Sequence, residues 1–155
     1  MWPFKKKHPP LTDLPTGGGW QVLQGLYDGR PIVLRVNAAV DAFRGHPELG
    51  YQVGIAVPLK DPSEHGLPKQ PELDALSAIE DRLVDTVVVA ARSVLVAVVT
   101  TGGMREFVLY ATDPEEVKKN FARLEASNDS GLELQLMIQG DPEWSVFESF
   151  RQRSS

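Results

Sequence analysis

Between Tyr51 and Gln139 the chain reads strand, helix, strand, strand, helix, strand. This order predicts an α+β fold of the ferredoxin-like kind, a βαββαβ sandwich with two helices on one face of a four-stranded antiparallel sheet. Alternating apolar runs around Asp28-Gly29 add a β-hairpin ahead of the sandwich, and Asp141-Pro142-Glu143 opens a short helix behind it. The 155 residues suit one core. A single domain is expected over 20–150, with a flexible N-terminal tail at 1–19 and a C-terminal tail at 151–155.

Each element has a local reason. Residues 1–19 carry Pro3, Pro9, Pro10, Pro15 and Gly17-Gly18-Gly19, which resist both helix and sheet pairing. Trp20, Val22, Gln24 and Leu26, then Ile32, Leu34 and Val36, alternate with their neighbours on either side of Tyr27-Asp28-Gly29-Arg30. Asp-Gly between such runs is a strong hairpin signal, because both residues tolerate positive φ. Residues 38–50, with Phe43, Gly45, Pro47 and Gly50, are expected as a short helical or irregular crossing into Tyr51. Tyr51, Val53, Ile55 and Val57 form one side of the next strand, ended by Pro58.

Pro71 suits a first helical turn, and Leu73, Leu76, Ile79, Leu83 and Val87 recur at helical spacing. The break is expected near Arg92. Val94 to Thr101 and Arg105 to Ala111 make a hairpin around Gly102-Gly103. The first of these strands lies outermost in the predicted order, yet it is apolar on both faces. An open apolar edge invites uncontrolled pairing, so the N-terminal hairpin or another subunit should cover it. Asp113-Pro114-Glu115-Glu116 is a helix start with a capping carboxylate and acids in the first turn, and Val117, Phe121 and Leu124 are its buried stripe. Leu132, Leu134, Leu136 and Ile138 alternate through the last sheet strand, and Trp144, Phe147 and Phe150 give the final helix an aromatic face.

Composition narrows the function classes. A net charge of −5 opposes general affinity for nucleic-acid phosphates. The absence of cysteine removes disulfides, thiolate catalysis and Cys-rich zinc sites, which suits a cytoplasmic, reducing setting. The basic start Trp2-Pro3-Phe4-Lys5-Lys6-Lys7 runs into His8-Pro9-Pro10 where a signal peptide needs an apolar stretch. The apolar run Val87 to Val99 is broken by Arg92 and is too short to cross a bilayer. No membrane span is expected.

No cofactor is expected either. Gly17-Gly18-Gly19 lacks the Lys-Ser/Thr of a phosphate loop, and His8, His46 and His65 have no second ligand at helical spacing. Glu80 and Asp81 are an acidic pair on a helix, but consecutive helical residues point about 100° apart and do not readily share one ion. On the strand after Gly102-Gly103, Arg105, Glu106 and Tyr110 draw notice. If Phe107 and Leu109 face the helices, Glu106, Val108 and Tyr110 face away, with Gln52, Gly54, Ala56, Glu133, Gln135 and Met137 on the same side by parity. Small residues there predict a shallow depression able to receive the Trp144 helix, the hairpin, a second subunit or a ligand. Local packing is the expectation for Trp144, because large exposed aromatic patches are uncommon on soluble monomers.

Several segments together resemble a largely bacterial family, domain of unknown function 695. They are Tyr27-Asp28-Gly29-Arg30-Pro31 with Arg35-Val36-Asn37, Gly66-Leu67-Pro68 before Ile79-Glu80-Asp81, Arg105-Glu106-Phe107 with Tyr110, and Asp141-Pro142-Glu143-Trp144. The likeness spans about Trp20 to Phe150 and implies no established activity or catalytic set. More distantly the chain is similar to the regulator-of-ribonuclease-E-activity B family, acidic proteins of βαββαβ type that act by binding a protein. The expectation is therefore a non-catalytic binding or regulatory module whose partner is a protein or a second copy, with Arg105, Glu106, Tyr110 and Trp144 as candidate partner-binding residues. The alternative is a small hydrolase or metal-dependent enzyme using Glu80, Asp81 or Glu106.

Overall fold

The computed structural model describes residues 8–15, 18–89 and 92–154. The expectations for Met1–Lys7, Gly17 and Ala90-Ala91 fall outside them. Six strands form one antiparallel sheet: β1 (Trp20–Tyr27), β2 (Arg30–Asn37), β3 (Tyr51–Pro58), β4 (Ser93–Thr101), β5 (Met104–Ala111) and β6 (Gln135–Gly140), in the spatial order β1-β2-β4-β5-β3-β6. Among the described residues three α-helices accompany them, α1 (Gln70–Leu83), α2 (Pro114–Ser127) and α3 (Ser145–Ser154), and a 3-10 helix, Ala38–Phe43, follows β2. The protein is thus an α+β structure with the hairpin ahead and the short helix behind.

Asp28 and Gly29 take positive φ, 54° and 78°, as the two-residue turn of the first hairpin requires. The hairpin then does what the apolar β4 demands. Strand β2 pairs along β4 from Ile32–Thr101 to Val36–Ala97, so β4 is an interior strand. Asp113 caps α2 by accepting from the Glu115 amide at 2.9 Å, and Pro114 occupies the first turn.

Strand parity sorts the interior into two cores. On one face Val53, Ile55, Leu95, Val98, Phe107 and Leu109 pack against the buried stripes of α1 and α2. On the other, Val36, Val94, Val96, Val108 and Tyr110 pack against Val40, Phe43, Leu49, Trp144 and Phe147. A shift in the β4–β5 register between Leu95 and Ala97 leaves Val96 unpaired, which lets Val96 and Ala97 both serve the second core.

Four boundaries depart from expectation. Leu11–Asp13 makes a 3-10 turn, and Leu11 and Leu14 pack on the second core, so this part of the expected tail is attached by apolar burial. Helix α1 continues past Leu83 as a π-helical turn, Val84–Val88, before Arg92 reverses the chain at φ 49°. Leu132 and Leu134 are buried as expected, but sheet pairing begins only at Gln135, opposite Ala56. Residues 151–154, expected as tail, belong to α3, where Arg151 bonds the Asp41 carboxylate through Nε and Nη2, each at 2.9 Å.

Candidate functional site

The residues singled out from the sequence separate onto the two faces of the sheet. Arg105 and Glu80 meet on the α1 side. Arg35 from β2 donates to the Glu80 carboxylate from both Nη1 and Nη2, the former at 3.3 Å, and lies 5.4 Å over the Trp20 ring. Arg105 Nε donates to Thr100 Oγ1 at 2.9 Å. Burial and the neighbouring Arg35 charge lower the Arg105 pKa, with Glu80 opposing. Asp81 is exposed on the outer side of α1, away from this group. Glu80 is therefore an ion-pair partner that ties α1 to β2, and the two consecutive acids have different surroundings.

Tyr110 and Trp144 lie on the opposite face, and both are fully buried. Their rings stack at 4.1 Å with 13° between planes, while Phe147 meets Trp144 edge-on at 5.5 Å. Indole Nε1 donates to the Leu49 carbonyl at 2.9 Å. The Tyr110 hydroxyl donates to Asp141 Oδ2 at 2.6 Å and accepts from the Phe147 amide at 3.2 Å. Asp141 in turn accepts from the amides of Ser145 and Val146, at 2.8 and 3.0 Å, neutralising the first turn of α3.

Burial alone would push Asp141 up, but the hydrogen bonds from Tyr110, Val146 and Ser145 outweigh it and hold the carboxyl below its ordinary range. Burial and the Asp141 bond raise Tyr110, so its hydroxyl stays protonated and donating. This group anchors α3 to the middle of the sheet. Asp141 is its organising residue. In sequence it showed as the helix-start signal Asp141-Pro142-Glu143 and in the segment Asp141-Pro142-Glu143-Trp144 that carries part of the family resemblance.

Glu106 shares the Tyr110 face but lies beyond the reach of α3. Cross-strand pairing places it in a row Gln135–Ala56–Glu106–Val99, beside a second row Pro58–Met104–Thr101–Ile32. Met104 and Met137 are exposed, and Ile32, Ala56 and Val99 are half-buried, so this half of the sheet face is open and apolar around one carboxylate. The Glu106 side chain leans over Gly54, where an added Cβ would lie 2.8 Å from Oε2 and 3.4 Å from the Met137 methyl. No donor of the described residues reaches this carboxylate, and burial raises its pKa. Strand parity found Glu106 and Met137; Met104 had no signal beyond its place next to the turn.

A cavity of about 680 Å³ opens at the other end of the sheet, between Leu11–Pro15, Trp20 and the π-helical turn. Three of its polar side chains are committed elsewhere: Glu80 to Arg35, the Asn37 amide to the Leu95 carbonyl, and the Ser93 hydroxyl to the Val87 carbonyl. Among the described residues no three His, Cys, Asp or Glu side chains are placed to hold a metal ion, and no helix is long and apolar enough to cross a membrane.

Comparison with curated proteins gave no match, and comparison with solved structures gave none. Residues 18–151 match the model of a family of unknown function, DUF695. The match covers both cores, the Tyr110–Asp141–Trp144 anchor and the open face around Glu106, and the chain belongs to this family.

Proposed function

We propose that the protein is a non-catalytic, cytoplasmic binding module whose partner is a polypeptide, docking on the open half of the sheet face around Glu106. The observation that carries this reading is the Glu106 carboxylate itself. A half-buried acid that no donor of the described residues reaches, set among Met104, Met137, Ala56 and Val99, loses hydration without a compensating hydrogen bond from them. A partner presenting an Arg or Lys from an apolar surface would supply the missing donors and cover the methionines, whose flexible side chains suit a binding surface.

Within this reading the sub-order β4-β5-β3-β6, with α1 and α2 on one face, is a ferredoxin-like unit extended by the hairpin, and α3 occupies half of its other face. The distant resemblance read from the sequence to a family that acts by binding a protein is an analogy of fold and charge in the same direction. The enzyme alternative has less support, because Glu80 is engaged by Arg35 and Asp81 is exposed apart from it.

The test uses tagged chain as bait in extract of its native cell, followed by titration with the purified partner. Glu106→Lys and Met137→Asp should each abolish capture while leaving the thermal melt near that of the parent. Parent-like affinity in both variants would refute the proposed surface.

A further inference from the structure

Among the described residues strand β1 is an edge whose own sequence carries no protection; Arg151 and Arg153 of α3 reach Gln21 and Tyr27 from one face of the strand. Its sequence, Trp-Gln-Val-Leu-Gln-Gly-Leu-Tyr, contains no charged residue and no proline, and its register with β2 runs unbroken from Trp20–Asn37 to Tyr27–Arg30. Natural edges are normally blunted by charge, proline or a bulge. Val22 is 60% exposed and Leu26 73%. We infer that β1 pairs antiparallel with β1 of a second copy of this chain about a twofold axis, joining the two sheets.

The hydrogen-bond parity of the hairpin leaves the right groups outward. The Ala38 amide donates to the Gly19 carbonyl at 2.8 Å, and the two-residue turn makes Tyr27 and Arg30 a hydrogen-bonded pair. The odd-numbered residues of β1 therefore bond to β2, and the N–H and C=O groups of Val22, Gln24 and Leu26 point to the free edge.

One register matches the strand to itself. With Gln24 opposite Gln24 of the second copy, Val22 faces Leu26 of the second copy, and the symmetry repeats that apolar pair. On the other face Leu23 comes beside Gly25 of the second copy. Gly25 has open space where a side chain would be, with nothing within 4 Å of an added Cβ. Bulk thus meets space in both directions, which favours a second copy over an unrelated strand.

The other edge, β6, lacks this property. It lies between Glu133 and Asp141, so pairing centred on Met137 would set Glu133 against Asp141 of the second copy. The β1 pairing leaves the Glu106 face uncovered and stands independently of the proposed function.

The chain has no cysteine, so single cysteines report proximity without background. Hydrogen-bonded antiparallel partners lie about 5.5 Å apart at Cα, within disulfide reach. Gln24→Cys should oxidise to a covalent dimer, and Met137→Cys on β6 should form no covalent dimer. In sedimentation velocity the parent should double in mass at roughly 100 µM, a concentration suited to a low-area interface. Leu26→Lys should return it to monomer with an unchanged circular-dichroism melt. A parent that stays monomeric, a Leu26→Lys variant that still dimerises, or equal cross-linking at Met137 would overturn the inference. Should Leu26→Lys fail to fold, the comparison of the two cysteine variants decides.

Discussion

Replacing Trp144 with alanine tests the anchor of α3 in a way that separates its parts. The indole is fully buried, so truncation should cost about 3–5 kcal/mol in lost burial and residual cavity. The Leu49 carbonyl loses its donor at 2.9 Å, adding about 1–3 kcal/mol if no water replaces it. A total near 5 kcal/mol would consume much of the roughly 5–15 kcal/mol by which a domain is stable. At about 2–4 °C per kcal/mol for a chain of this size, melting should fall by roughly 10–20 °C. Trp144 also holds φ at 60°, a conformation that costs an L-residue about 1–2 kcal/mol and glycine almost nothing. Trp144→Gly should therefore be about 1 kcal/mol less damaging than Trp144→Ala, despite the greater entropy of its unfolded chain. Urea unfolding followed by circular dichroism measures both. A Trp144→Ala loss under about 1 kcal/mol would refute the buried anchor, and a glycine variant clearly worse than the alanine variant would refute the backbone argument.

Tyr110→Phe removes one donor and one acceptor from the same anchor and should cost about 1–3 kcal/mol. The depressed Asp141 pKa contributes stability that is full above the unfolded carboxylate value of about 3.9 and is lost as pH falls through the lower folded value. Without the Tyr110 hydroxyl that depression shrinks, so the acid-unfolding midpoint, followed by circular dichroism, should move to higher pH; an unmoved midpoint counts against the coupling. At Glu106 the sign is opposite. Its raised pKa means that ionisation weakens the fold as pH rises through the folded value, so Glu106→Gln should melt above the parent at pH 7. That gain should vanish as pH falls below about 4, where both states of Glu106 are protonated; a pH-independent difference would show that the charge is not its cause.

Where local chemistry settles conformation, the sequence was readable. Asp28-Gly29 fixed a hairpin, Asp113-Pro114 a helix start, and an apolar β4 the need for a covering strand. Parity placed Glu106 and Tyr110 on one face because alternation along β5 is undisturbed. It also implied that Arg105 lies opposite, although its adjacency to Glu106 suggested a common site. The unread features depend on distant groups. The irregularity at Val96 lies under a core completed by Trp144 and Phe147, far along the chain. The attachment of Leu11 and Leu14 depends on a core formed by residues far along the chain, and nothing near Asp141 reveals that Tyr110 is its donor. The extent of the open face depends on where a ten-residue helix stops across six strands, which no local pattern encodes.

The place of β3 bears on the order of assembly. It lies between β5 and β6, both of which follow it in the chain, so it leaves a ribosome with neither neighbour yet made. The β1–β2 hairpin closes early through its own turn but must likewise wait for β4. Such distant pairings make folding slow, because loop-closure entropy is spent before burial repays it. The completed sheet therefore depends on β6, and α3 can lock down only after β5 has brought Tyr110 into position. A nascent chain that ends before Gln135 displays an apolar strand open along one side, the form in which this protein is most in need of a chaperone.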